Sequence, residues 1–190
     1  MRQRDDDATD QLPIRLMMSL AIVAAIVVLI AGASGAVRTF LAEQQVETQC
    51  RLIEASLSTM VGSGAARDVD DLNAPQGTKR VQSITLPDSL IYLSFGGDAD
   101  PMNTGVFRSG LVEDGAVIFY KVQGGSKQVI WLPKETYKFR EGIFIDNHWG
   151  VHGAGQSFII HTGGTLTLIF ERVQKNHRTY ILVHSTDDID

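Results

Sequence analysis

Apolar and polar positions follow two different periods along this chain. From Leu16 to Val37 the sequence LMMSLAIVAAIVVLIAGASGAV carries no charge and is bounded by Arg15 and Arg38. About 22 residues rising about 1.5 Å each cover about 33 Å of helix. That is enough to cross a hydrocarbon core of roughly 30 Å. Beyond Arg38 the pattern narrows to a stripe, Val46, Cys50, Ile53, Leu57 and Met60, with steps alternating between four and three residues. Such spacing places all five on one helical face as a heptad-like seam. Gln44, Gln45, Glu47, Gln49, Arg51 and Glu54 take the other faces, and no proline or glycine interrupts 36–61. Gly62-Ser63-Gly64 then supplies a stop. The pattern predicts one unbroken helix: a transmembrane part, 16–37, and an amphipathic stem, 38–61, preceded by a polar leader, 1–15.

After the helix comes a stretch, 62–78, that includes RDVDDLNAPQG, polar and rich in turn formers, which reads as a linker. From residue 79 the period shortens to two. Strands are predicted at 80–86, 90–95, 106–111, 116–122, 128–132, 139–145, 158–161, 165–172 and 179–184. Short strands with no room for helices between them imply an antiparallel β-sandwich or barrel over 79–186, and an α+β chain as a whole. In VIFYKVQGGSKQVIWL, Gly124-Gly125-Ser126 separates two strands rich in β-branched and aromatic residues. In TLTLIFERVQKNHRTYILVH the chain turns near Lys175-Asn176. There Leu166, Leu168 and Phe170 alternate with Thr165, Thr167, Ile169 and Glu171.

Charge sharpens the reading of the apolar run. A secretory signal is its rival, with Ala31-Gly32-Ala33 as a small-x-small cleavage site. But the leader carries Asp5, Asp6, Asp7 and Asp10, and the helical pattern continues past the candidate cut. A retained anchor is therefore expected. Arg2, Arg4 and Arg15 precede the span and Arg38 and Arg51 follow it, a bias toward a cytoplasmic N-terminus and an exported domain in a single pass of the cytoplasmic membrane. Within the span, Ala31 with Gly35 and Gly32 with Ala36 are small residues four apart, a spacing that lets helix backbones approach closely in lipid. The seam itself packs either on the chain's own domain or between subunits. Cys50 inside it reads as a small core residue.

The chain has 190 residues, net charge -5 and one cysteine. The part beyond the stem, about 110 residues, is large enough for its own core. No basic stripe exists to displace counterions from phosphates, which argues against nucleic acid as a partner. One cysteine allows neither an internal disulfide nor a cysteine-based zinc site. His148 and His152 in DNHWGVHG have a spacing that suits a metal on a helix, with Asp146 adjacent, but Gly150, Gly153 and Gly155 favour a loop. GGDADPMNTG brings Asp98, Asp100 and Asn103 together, loosely like a calcium loop, without an EF-hand's spacing or terminal glutamate. Both pairs are weak metal candidates, and a plain turn accounts for each. No nucleophile elbow, phosphate loop, dinucleotide fingerprint or H-E-x-x-H motif occurs. GGSK at 124–127 joins strand to strand, whereas a phosphate loop opens a helix. Neither catalysis nor a cofactor is expected.

A polar leader, an apolar helix that runs on as an amphipathic stem and a β-rich head is the plan of type IV pilins, pseudopilins and archaellins. The stretch DQLPIRLMMSLAIVAAIVVL, Asp10 to Leu29, resembles the archaeal pilin-like proteins most. The resemblance implies cleavage by a prepilin peptidase between Asp10 and Gln11, with Gln11 as the mature start. It also implies a structural role: helices packing with those of like subunits in the membrane through Ala31, Gly32, Gly35 and Ala36 and through the seam, a pilus or secretion platform as partner, and heads facing outward. Ala8-Thr9-Asp10 stands where the family usually has a basic residue and a glycine or alanine, and Arg15 where it often has a glutamate. A minor, initiating or unprocessed subunit fits those departures better than a major pilin. The alternative is a single-pass anchored surface protein whose β domain binds a ligand or partner without polymerising. A membrane-tethered enzyme using the His148 and His152 loop is a third.

Overall fold

The chain from the leader to Ser63 folds as a single helix, α1, Asp6–Ser63, which runs on through Pro13, Gly32 and Gly35. The computed structural model describes residues 6–71, 73–145, 148–152 and 155–186, without the side chains of 6–14 and of Ala33. It falls into two units, Met1–Phe40 and Leu41–Asp190. In the first, the successive residues Leu16, Met17, Met18, Leu20 and Ile22, which together go round the helix, are all exposed, and an 18-residue window has a mean hydropathy of 2.7 with none of it buried. This is an apolar N-terminal helix of membrane-spanning length and composition, a character that a signal sequence shares.

In the second unit α1 is amphipathic in fact as well as in pattern. Val46, Ile53, Leu57 and Met60 are completely buried, Cys50 nearly so, while Leu52 between them is half exposed. The stripe enters one apolar cluster with the inner faces of two β-sheets. Of the two packings the seam allowed, the chain's own domain takes it.

The strands are β1 (Arg67–Asp68), β2 (Lys79–Leu86), β3 (Leu90–Phe95), β4 (Val117–Val122), β5 (Gln128–Trp131), β6 (Phe139–Ile145), β7 (His148–Val151), β8 (Phe158–Ile160), β9 (Gly164–Lys175) and β10 (Arg178–Ser185). The first sheet has the order β1-β9-β10-β6-β7, with β2 sharing the β1 edge of β9; the second has the order β5-β4-β3-β8. Alternation decides what each face carries. Leu168 and Phe170 on β9 and Ile181 and Val183 on β10 point into the shared core, where Phe95 of the second sheet meets Phe139 and Phe170 of the first edge-on at 5.5 and 5.8 Å. Glu171, Leu182 and His184 point the other way. There Val69, Val173 and Leu182 form a small second core with Trp149, Val151 and Tyr180 around it.

The β9–β10 hairpin closes through Asn176 and His177, both at positive φ, the mirror-image turn that matches strand twist. Gly124 supplies positive φ between β4 and β5, and the next residue, Gly125, lies so close to Glu43 and Val122 that a side chain there would collide with both.

Four features depart from the sequence expectation. The first sheet is mixed rather than antiparallel, because β10 runs parallel to β6 and β1 parallel to β9. Residues 106–111 form no strand: Arg108 N donates to Ala99 O and Val112 N to Gly96 O, so the segment is tied back to its own loop. His148–Val151, expected as a loop, pairs antiparallel with β6. The linker is partly ordered against the first sheet, with Val69 buried and Val69 N donating to Gln174 O at 3.0 Å.

Candidate functional site

Helix α1 holds the first group of candidate residues. Gly32 and Gly35 have open space around them, nothing lying within 4 Å of where a Cβ would stand, and Ala31 and Ala36 beside them are exposed. Ser34 Oγ turns inward to donate to Ala31 O at 2.8 Å, so this turn offers a surface of small apolar groups. Val46, Cys50, Ile53, Leu57 and Met60 are spent inside the domain. A second copy would reach them only by displacing the chain's own sheets. Burial pushes the Cys50 thiol up to about 12, with the Arg51 charge opposing and the Glu47 charge adding to the shift. Asp10 and Gln11, the candidate processing site, have side chains outside the described residues.

The metal candidates separate. His148 lies on β7 and His152 just beyond it, and residues four apart along extended chain are about 13 Å apart, too far to share one ion. Asp146 lies outside the described residues. In the aspartate loop the cation is already there, and it is a lysine. Lys127 Nζ donates to Asp98 Oδ2 and to Asp100 O, both at 2.6 Å, and Tyr92 donates its hydroxyl to Asp98 Oδ1 at 3.2 Å. The Asp100 carboxylate accepts from the Thr104 and Gly105 amides at 2.8 and 2.9 Å. Burial works to raise its pKa, but the Gly105 and Thr104 amides and the Lys127 charge outweigh it and hold the carboxyl low. Among the described residues no group of three or more His, Cys, Asp or Glu side chains is placed to hold a metal.

The outer face of the first sheet carries a feature that no sequence motif marks. A cleft of about 290 Å³ opens there between β1, β2, β9 and the β6–β7 hairpin. Its floor is an ion pair: Arg67 Nε and Nη2 donate to the two oxygens of Glu171 at 2.8 and 3.2 Å, and Glu171 is 1% exposed. Such a forked contact is what compensates a buried carboxylate. Arg67 Nη2 also donates to Trp149 O at 2.6 Å, fastening the hairpin to β1. Trp149 forms one wall, stacked on His184 at 3.6 Å and 15°, and Gly142 beneath leaves room for that stack. Phe144 leans on Trp149 at 5.3 Å and is 43% exposed. Gln76 and Lys79 complete the rim, with Lys79 Nζ 4.0 Å from Glu171.

A second opening, about 340 Å³, lies beside Arg140 and Tyr180. Arg140 sits over the Tyr180 ring at 4.7 Å and donates to Asp114 Oδ1 at 2.6 Å and to two backbone carbonyls, so most of its N–H groups are committed to structure.

Sequence reasoning passed over Arg67 because it stood alone in a polar stretch. Alternation puts Glu171 on the face opposite Leu168 and Phe170, but nothing in the pattern reveals that this face is covered. The chain matches no protein-family model, no curated protein and no solved structure. What the fold itself defines is a β-rich domain built around the C-terminal part of a long helix whose N-terminal part is apolar on all faces.

Proposed function

We propose that the protein is a structural subunit of a type IV pilin-like assembly. Its N-terminal helix holds it in the cytoplasmic membrane with the N-terminus inside, and the β domain faces outward. One observation supports this most: the division of roles along α1. The stripe from Val46 to Met60 is consumed in the domain core, while Leu16 to Val37 stays apolar and exposed on all faces. Association of like subunits then falls to the upper helix alone. In lipid the hydrophobic effect does not drive helices together, and close approach at small residues does. Ala31, Gly32, Gly35 and Ala36 provide that face, and an assembly platform in the membrane would be the further partner.

Gly35→Cys tests this, because buried Cys50, with its raised pKa, does not compete as a thiol. Oxidising native membranes that contain the variant should give disulfide-linked dimers, and Val37→Cys, on the far side of the helix, should give few. No dimer at Gly35, or equal yields at both positions, would overturn the reading. The outer-face cleft favours a second reading, a single-pass surface protein whose head binds a ligand without polymerising. That reading expects a monomer in the same experiment.

A further inference from the structure

We infer that the cleft on the outer face of the first sheet binds a neutral saccharide. The inference stands apart from polymerisation, since it concerns the head alone and holds whether or not the helices associate.

Charge comes first. Among the described residues, the charged side chains that line the cleft are Arg67 and Lys79 against Asp71 and Glu171, with His148 beside them, so their formal charges cancel with the imidazole neutral. An ionic ligand would find no net attraction, whereas an uncharged one leaves the Arg67–Glu171 pair undisturbed. Geometry narrows the class further. One side of the cleft is aromatic: Phe144 is 43% exposed, and Trp149, stacked on His184 and packed on the second core, borders the opening with part of its surface. The other side is a polar rim in which Gln76 offers both a donor and an acceptor, Lys79 offers donors and Asp71 an acceptor. A pyranose has C–H groups on its faces and hydroxyls around its edge, each able both to donate and to accept. It satisfies an aromatic wall and a mixed rim together. An aliphatic chain would leave the rim unpaired, at the cost of burying polar groups without partners.

Size sets the remaining limit. A cleft of about 290 Å³ is at the small end of ligand sites, which begin near 300 Å³. It suits one ring, such as the terminal residue of a glycan. The side chains that would contact it, Phe144, Gln76 and Lys79, are exposed and lie outside the main core, so they can be changed without dismantling the fold.

The test uses the full chain in a sugar-free detergent, with methyl glycosides of glucose, galactose, mannose and N-acetylglucosamine as neutral probes and methyl glucuronide as an anionic one, read by saturation-transfer NMR. Transfer to at least one neutral probe is expected, with Phe144→Ala and Gln76→Ala each weakening binding by about tenfold or more. Trp131→Ala, an exposed aromatic on the second sheet, should leave it unchanged. No transfer to any probe would overturn the inference, as would transfer that survives both cleft substitutions. Binding confined to methyl glucuronide and lost in Lys79→Gln would overturn it too, by assigning an anion site instead.

Discussion

At the scale of single residues, the domain uses charge mainly to fasten segments that regular structure does not hold. Arg67 is the clearest case. Its partner Glu171 is buried, and removing one member of such a pair leaves an uncompensated charge at a cost of about 3–5 kcal/mol. Arg67→Met should therefore lower stability by that order in urea unfolding followed by tryptophan fluorescence, and adding Glu171→Leu in the same chain should restore most of the loss. Asp114 makes a different prediction. Burial acts to raise its pKa, but hydrogen bonds from Lys138 and Arg140 outweigh this and hold the carboxyl below its ordinary 3.8. A depressed folded value means stabilisation that is present above the unfolded pKa and lost as pH falls through the folded one. Asp114→Asn keeps a residue type that tolerates the positive φ of this position. Its melting temperature should lie below that of the unsubstituted protein by a constant amount from neutral pH down to about pH 5, and the gap should begin to close near pH 3.8 and go on closing as pH falls through the depressed folded value.

At the scale of elements, the stripe on α1 separates two leucines only five residues apart. Leu57 is completely buried and Leu52 is half exposed. Leu57→Ala should cost about 2–5 kcal/mol through lost contacts and a residual cavity. Leu52→Ala should stay within about 0.5 kcal/mol, both measured by denaturant unfolding of the full chain. This contrast was legible in the sequence, because the four-three spacing from Val46 to Met60 fixes a face whatever covers it. Most strands were legible for the same reason, and Leu90–Phe95 and Phe139–Ile145 have the expected bounds. Strand direction and neighbours were not. Alternation says which way a side chain points and nothing about which strand lies beside it, so the parallel pairing of Ile181–Val183 with Phe139–Glu141 left no mark in either segment. Residues 106–111 misled for a related reason: VFRSGL has strand composition, but Gly110 N bonds Ser157 Oγ and Phe107 packs on Tyr92 and His161, so tertiary partners replaced a ladder. The cleft was illegible because it joins residues from β1, β2, β6, β7 and β9 that no local pattern links.

At the scale of the whole molecule, one helix has two parts of different character, an exposed apolar one and one packed into the domain, and the fate of the first decides what the protein becomes. N-terminal sequencing of protein from the native host should find the span intact, starting at Gln11 or at Met1. A start at Ser34 or Val37 would mean a discarded signal and would remove the upper helix from any assembly. In the orientation proposed above, the head would meet a medium whose ionic make-up the cell does not control. Here the lysine seated between Asp98 and Asp100 acquires a wider meaning. A calcium ion in that position would be held at the mercy of its free concentration and would be stripped by any chelator. An ammonium joined to the backbone is never diluted, because its effective concentration is set by the length of its own tether. The loop from Gly96 to Val112 thus carries its counter-ion as part of the polypeptide, so salt depletion leaves it closed, and what would loosen it is removal of the ammonium itself, as in Lys127→Met.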